Sequence, residues 1–388
     1  MCSPVTMVWS DEQSSWSAPM IRLDATLSST LDRDPPVPSF GSNWFAPVLN
    51  IFRDPPDSPL ARIDDRIAAL RTAADSRIPA LPAATRLAKM LFDFRGPTPQ
   101  TLRALEDLQA RVPALARGFA GRLSAIQAAA YGEAFNWGKA VEVTAPLYRR
   151  NKVAAVAMSS LAVIEKMHLF GIDKSGVGAS AGEALRRSQE HEAGFLERLA
   201  DRSVSIAVVG NSPIEIGRGQ GAAIDRHDLV VRFNNYSADP AFHVDYGGRA
   251  DIWVRAAGHT GVWSRPGSKF SSIVFSGPDR RHHGFAPWDI LDVVGSGGNP
   301  VFVPTPVYVD LAAELQYAPS AGLTFLYWLR RLRGAFQDAN VSVYGFALID
   351  QPPGGSRHYF ERPRSVAHAT SSHNWMAEAE LFQRILQS

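Results

Sequence analysis

The sequence predicts an α/β domain with a largely parallel central sheet, preceded by an all-α region. Three observations lead there. Residues 1–58 are rich in Ser, Pro and Asp, with Pro35-Pro36 and Pro55-Pro56, and show no sustained period, so they read as a loosely ordered arm. From 59 to 200 alanine, leucine and arginine recur at helical spacing, as in Ile63, Ile67 and Leu70, in Leu105, Leu108 and Val112, and in Ala157, Leu161, Ile164 and Met167. Breaks at Gly96-Pro97, near Asn151 and at Gly171 to Gly178 divide this stretch into about six helices. No 34-residue self-similarity supports a helical repeat, so a plain bundle is expected. From Ser203 onward, within a domain expected over 201–388, short β-branched runs alternate with helical segments. The runs are Val204 to Val209, Asp228 to Phe233, Ala250 to Val254, Ser272 to Phe275, Val301 to Val303 and Val341 to Tyr344. Continuous apolar runs of that length fit strands buried on both faces of a parallel sheet. Ala321 to Arg333, with Leu323, Leu326, Leu329 and Leu332, reads as a crossover helix between the last two.

Composition excludes several classes. The 388 residues exceed one ordinary domain, and 45% hydrophobic with 20% charged residues excludes a wholly disordered chain. Forty basic against 38 acidic residues leave a net charge of +2, which argues for neither a nucleic acid nor an anionic membrane as the bulk partner. Only six basic residues are lysine, a skew suggestive of a high-GC bacterial source. The single cysteine, Cys2, rules out an intrachain disulfide framework and a cysteine-based zinc site. Val153 to Ile164 is the longest approach to an apolar span and is too short to cross a bilayer, and the first residues lack a secretory pattern. A cytoplasmic protein is therefore expected, with peripheral membrane contact left open.

Three generic motifs compete for the reading. Gly217-Arg218-Gly219-Gln220-Gly221-Ala222 fits G-x-G-x-x-A, but it begins seven residues after the first strand ends near Gly210, too late for a dinucleotide turn; an NAD-dependent oxidoreductase is the alternative it would imply. Gly178-Ala179-Ser180-Ala181-Gly182 fits G-x-S-x-G without the strand that a nucleophile elbow needs, so Ser180 reads as a helix cap rather than a hydrolase nucleophile. Asp32-Arg33-Asp34 has the spacing of a metal-holding D-x-D, yet lies in the Pro-rich arm and reads as solvated charge. Arg280, Arg281, His282 and His283 read as a solvated basic loop, with an anionic glycan or lipid as the functional alternative.

The informative stretch begins at Ser203. A strand ending in Val208-Val209-Gly210 delivers Asn211 and Ser212 to the carboxyl edge of the sheet, and a second ending in Arg232-Phe233 brings Asn234 beside them. Val208-Val209-Gly210-Asn211-Ser212, Ile224-Asp225-Arg226-His227-Asp228, Val231-Arg232-Phe233-Asn234 and Tyr246-Gly247-Gly248-Arg249 together resemble the large sialylmotif of the sialyltransferases, glycosyltransferase family 29. Further motifs follow in the family's order. Pro319-Ser320-Ala321-Gly322-Leu323 with Val341 to Phe346 is similar to the small sialylmotif, His358-Tyr359-Phe360-Glu361 to H-Y-x-E, and His373 to Glu378 to H-x4-E. The resemblance covers about residues 203 to 388. One departure stands out: Ile206 occupies the place of the cysteine that pairs the large and small motifs in animal members, and no membrane anchor is evident, so the chain looks like a soluble bacterial relative.

The resemblance implies a GT-A-like variant of the α/β fold and an inverting transferase that moves a sugar acid from a CMP donor to a glycan or glycolipid hydroxyl. It implies no cofactor and no metal. By resemblance, His373 is the general base, with Glu378 orienting it or binding substrate, and His358 stabilises the departing phosphate. Asn211, Ser212, Asn234, Ser320, Gly322 and Tyr359 are expected to bind substrate. CMP-sialic acid and CMP-Kdo are both 2-keto-3-deoxy acid donors and remain alternatives, as does a non-catalytic CMP-binding module.

Overall fold

The computed structural model describes residues 61–75, 81–111, 121–174, 176–256, 269–283, 288–336, 340–347, 358–360 and 373–387. The arm over 1–58, the Asp32-Arg33-Asp34 motif and Glu361 lie outside them. Up to residue 200 the described chain forms eight helices: α1 (Ile63–Ala74), α2 (Leu81–Arg95), α3 (Pro99–Arg111), α4 (Gly121–Glu133), α5 (Trp137–Arg150), α6 (Lys152–Met158), α7 (Leu161–Leu169) and α8 (Val177–Ala200). The count exceeds the six expected because short polar side chains restart the helix with almost no linker. Asn136 accepts a hydrogen bond from Lys139 N at 3.3 Å to open α5, Asn151 from Ala154 N at 3.0 Å to open α6, and Ser160 caps α7. Ser180 is not a cap. Gly176, with φ of 82°, occupies that position, and Ser180 lies inside the first turns of α8 with its hydroxyl donating to Gly176 O.

The α/β part follows as β1 (Ile206–Val209), α9 (Gly221–Asp225), β2 (Leu229–Phe233), α10 (His243–Tyr246), β3 (Ile252–Ala256), β4 (Ser272–Ser276), α11 (Arg280–His283), α12 (Trp288–Gly295), β5 (Pro300–Phe302), α13 (Thr305–Leu315), α14 (Ala321–Arg333), β6 (Val341–Tyr344) and α15 (Trp375–Gln387). All six predicted strands are present, and their ladders are parallel in the order β5-β4-β3-β2-β1-β6.

Side chains of a strand alternate between faces, and both faces here are covered, which explains the unbroken apolar runs. Ile206, Val208, Val231, Val254 and Val274 pack with α8, α13, α14 and α15 on one face. On the other, Trp253, Ile273, Phe275 and Phe302 share a core with Tyr131, Val141, Ile164 and Leu185 of the helical region. Ala207, Val209 and Val230 of that second face meet Ile224, Tyr246 and Tyr359. Helices α1 to α4 form a further cluster that reaches Tyr308 and Ala312 on α13. Helix α8 serves both faces, since Ala181, Ala184 and Leu185 belong to one core and Phe195 and Leu199 to the other. Where α14 ends, buried Arg333 donates to Leu199 O at 2.5 Å and to Val204 O at 2.8 Å, fixing the turn from α8 into β1.

Candidate active site

Strand order reverses between β1 and β6. The chain leaves β1 toward β2 on one side and returns as β6 on the other, and such a reversal opens a crevice at the carboxyl ends of the two strands. Gly210 closes β1 and Gly345 closes β6. Their backbones are so near that a Cβ on Gly210 would overlap the carbonyl oxygen of Gly345, so only glycine fits at Gly210. Gly345 adopts φ of 65°, in the left-handed region.

A ring of hydrogen bonds ties the two exits together. Ser212 N donates to Gly345 O at 2.9 Å, and Gly345 N donates to Glu215 Oε1 at 3.1 Å. Tyr246 donates its hydroxyl to Ser212 O at 2.6 Å and accepts from Glu215 N at 3.3 Å. Burial pushes the Tyr246 phenol well above its ordinary range, which keeps it a donor. Glu215 is buried and was not among the sequence candidates; the only signal for it was a carboxylate three residues after Ser212 in an otherwise apolar turn.

Asn211 points into this region. Its Nδ2 donates to Phe233 O at 3.0 Å, whereas its Oδ1 is buried with no partner among the described residues. Buried acceptors in folded proteins are nearly always satisfied, so an unmet one beside the exits of β1 and β2 is unusual. Asn234 has φ of 48° and extends the β2–β3 pairing: it donates from N to Val254 O at 2.8 Å and accepts at Oδ1 from Ala256 N at 3.1 Å.

Other residues of the same stretch serve the scaffold. Buried Arg232 donates from Nε to Arg249 O at 3.0 Å and from Nη2 to the carbonyls of Tyr246 and Gly247. Arg249 in turn donates to Asp225 O at 2.7 Å, to His227 O at 2.6 Å and to Asp251 at 2.9 Å. The amides of Gly217 and Gly219 donate to the Asp245 carboxylate at 2.8 and 2.9 Å. That internal carboxylate fills the position a pyrophosphate would need, which removes the dinucleotide reading of the glycine motif.

The remaining candidates arrive from the other side. Ser320 caps α14, its Oγ accepting from Leu323 N at 3.3 Å, while its own amide donates to Glu378 Oε1 at 2.8 Å. Gly322, in the first turn, lies against Phe346, where a Cβ would come within 2.6 Å of the ring. His373 Nδ1 stands 2.9 Å from Ala318 O and 3.6 Å from Glu378 Oε1. Burial raises the Glu378 pKa, against the opposing pull of His373 and the Ser320 bonds. The segments around 319–322 and 373–378 are thus one assembly, and Phe346, stacked on Phe382 of α15, joins it to the exit of β6.

The H-Y-x-E segment is anchored by Tyr359. Its amide donates to Asn211 O at 3.0 Å, its ring stacks on Tyr246 at 3.9 Å, and its hydroxyl is engaged by the Ser237 backbone in both directions. Tyr359 is buried, so the structure gives it a packing position instead of an open substrate contact. The neighbouring His358, stacked on Phe360, is held beside Asn211 by this anchor. Among the described residues no group of three or more His, Cys, Asp and Glu side chains could hold a metal ion, and no helix is long and apolar enough to cross a membrane.

Residues 162–276 match the family model described as glycosyltransferase family 29 (sialyltransferase). The matched segment, less than a third of the chain, is similar to a family 29 glycosyltransferase domain. The matched residues of this glycosyltransferase include Asn211, Ser212 and Asn234, while Ser320, His358, His373 and Glu378 lie beyond them. Among solved structures the chain is similar to a mammalian sialyltransferase in complex with Gal-beta-1-3GalNAc-ortho-nitrophenol, at 16% identity over 53% of this chain and 82% of the other, with a TM-score of 0.34. No curated protein matches the chain.

Proposed function

We propose that this glycosyltransferase moves a 2-keto-3-deoxy sugar acid, sialic acid in the first instance, from its CMP donor to a glycan hydroxyl with inversion and without a metal ion. The observation that carries the reading is the setting of His373. Ala318 O can only accept, so Nδ1 of His373 holds the proton of that hydrogen bond and the basic lone pair belongs to Nε2. A neutral imidazole in that tautomer is equipped to take the proton of an acceptor hydroxyl as the new glycosidic bond forms. Glu378, 3.6 Å from Nδ1 and held by the Ser320 amide, steadies the positive charge that develops on the ring.

On the donor side the unmet Asn211 Oδ1 accepts from a nucleoside N–H or hydroxyl, and the Nδ2 group of Asn234 supplies a donor not used in its bonds to β3. His358, beside Asn211, supplies the hydrogen bond that steadies the leaving phosphate. His373→Ala should keep CMP affinity and lose about 10²- to 10⁴-fold in transfer rate, the usual worth of a general base. Titration calorimetry in EDTA with CMP, UDP and NAD, followed by transfer assays with CMP-sialic acid and CMP-Kdo, tests the reading. Selective CMP binding with transfer from either donor supports it and assigns the sugar; binding of UDP or NAD in place of CMP, or wild-type turnover by His373→Ala, overturns it.

A further inference from the structure

The run Arg280 to His283, read in the sequence as a solvated basic loop, is a helical turn that is half-buried at Arg280 to His282 and buried at His283. Its last residue has a fully buried imidazole whose two nitrogens each meet a carboxylate of the helical region: Nδ1 is 3.2 Å from Asp93 on α2, and Nε2 is 2.5 Å from Glu133 on α4. Phe92 stacks on the ring at 3.7 Å. Glu133 also accepts from the Thr305 hydroxyl at the start of α13, and that hydroxyl accepts from Asp279 N. A carboxylate only accepts, so a ring between two of them satisfies both contacts only when both nitrogens carry hydrogen.

The surrounding charges agree. Asp93, Glu133, Asp279 and Glu192 face the cations Lys89, Arg280 and Arg281, with Lys89 paired to Asp93 and Arg281 bridging Asp279 and Glu192. Arg280 also donates from Nε to Ser276 O. His282, next in the chain, is kept neutral by burial, and burial likewise keeps the Tyr308 phenol protonated. From α7 come Glu165 and Lys166, already paired with each other. An imidazolium there meets one carboxylate at each ring nitrogen. The residual cavity beside the ring, about 10 Å³ and lined by Lys89, Asp93 and His283 among others, has room for about one water, too little to hydrate an uncompensated charge.

We propose that His283, as a buried imidazolium clasped by Asp93 and Glu133, is a pH-sensitive latch that fastens the helical region to the segment leaving β4. Burial alone would disfavour the charged ring, but the two carboxylates outweigh it and the net shift is upward. A group whose pKa is raised by folding contributes stability that is complete below its ordinary value near ~6.5 and is lost as pH climbs through the raised value. The latch is therefore closed while the ring is charged and opens as pH climbs through the raised value.

Imidazole nitrogen NMR of the ¹⁵N-labelled full-length protein from pH 6 to 10, with His283 assigned by His283→Gln, tests this directly. Both ring nitrogens should be protonated at pH 7.5. Between the ring's ordinary and raised pKa, amide hydrogen exchange in α2, α4 and α11, corrected for its chemical pH dependence, should rise by about tenfold per pH unit. Asp93→Asn and Glu133→Gln should each lower the midpoint, and either identifies the resonance if His283→Gln does not fold. A neutral ring at pH 7.5, or protection of those helices unchanged while the ring titrates, overturns the proposal. Neither readout depends on the sugar donor or on any catalytic activity.

Discussion

Glu215 shows how much one carboxylate can organise. It receives the amide of Gly345 from β6 while its own amide meets Tyr246, which holds Ser212 behind β1. Glu215→Leu should leave the Gly345 N–H buried without a partner at a cost of about 1–3 kcal/mol, and CMP affinity should fall with it. Glu215→Gln, which keeps an acceptor oxygen, should stay near wild type in both denaturant unfolding and calorimetry. The sequence flags this residue only as a lone carboxylate in an apolar turn, because its partner is a backbone amide 130 positions away. Asn211, Asn234, Ser320, His373 and Glu378 were legible as a motif set, and the structure groups Asn211 with Asn234 and His373 with Ser320 and Glu378. Tyr359 was not legible in the same sense. A tyrosine in a short motif looks the same whether its hydroxyl faces a ligand or, as here, the Ser237 backbone.

The parallel sheet could be read from periodicity because strands covered on both faces leave unbroken apolar runs, and the ends of the six strands fall within two residues of the expected places. Helix boundaries in the first half were harder, since Asn151 both ends α5 and caps α6 without a linker that composition would reveal. The pairing of β1 with β6 was also hidden, because β-branched runs carry no label for their neighbours. That pairing makes a sharp forecast for Gly210→Ala. The added methyl meets the Gly345 carbonyl, which belongs to the backbone and cannot turn away, so the two strand exits must part. An overpacking cost of about 1–3 kcal/mol is expected in urea unfolding, together with loss of CMP binding out of proportion to the lost stability. Ser320→Ala, by contrast, should cost only about 1 kcal/mol as a lost helix cap.

Across the whole molecule, the face formed by Trp253, Ile273, Phe275 and Phe302 is completed by side chains of the helical region. Removing residues 1–200 should therefore expose an aromatic surface and yield a product that aggregates or lacks cooperative unfolding, which sedimentation and circular dichroism would show. A soluble, cooperatively melting fragment would mean that the sheet closes this face by itself. The sequence marked where helices give way to strands, but amphipathic helices look alike whether they pack on one another or on a sheet. The place of β6 beside β1 has a further effect, in time rather than in space. Val341 to Tyr344 must find Ile206 to Val209 after more than a hundred intervening residues have been made, whereas β2 to β5 are each laid beside the strand before. Closing so long a loop is entropically costly, and contacts of high sequence separation are slow to form. The crevice between β1 and β6 should thus be the last feature to appear on refolding: far-ultraviolet ellipticity recovers first, and the CMP binding proposed above returns only in the slowest phase.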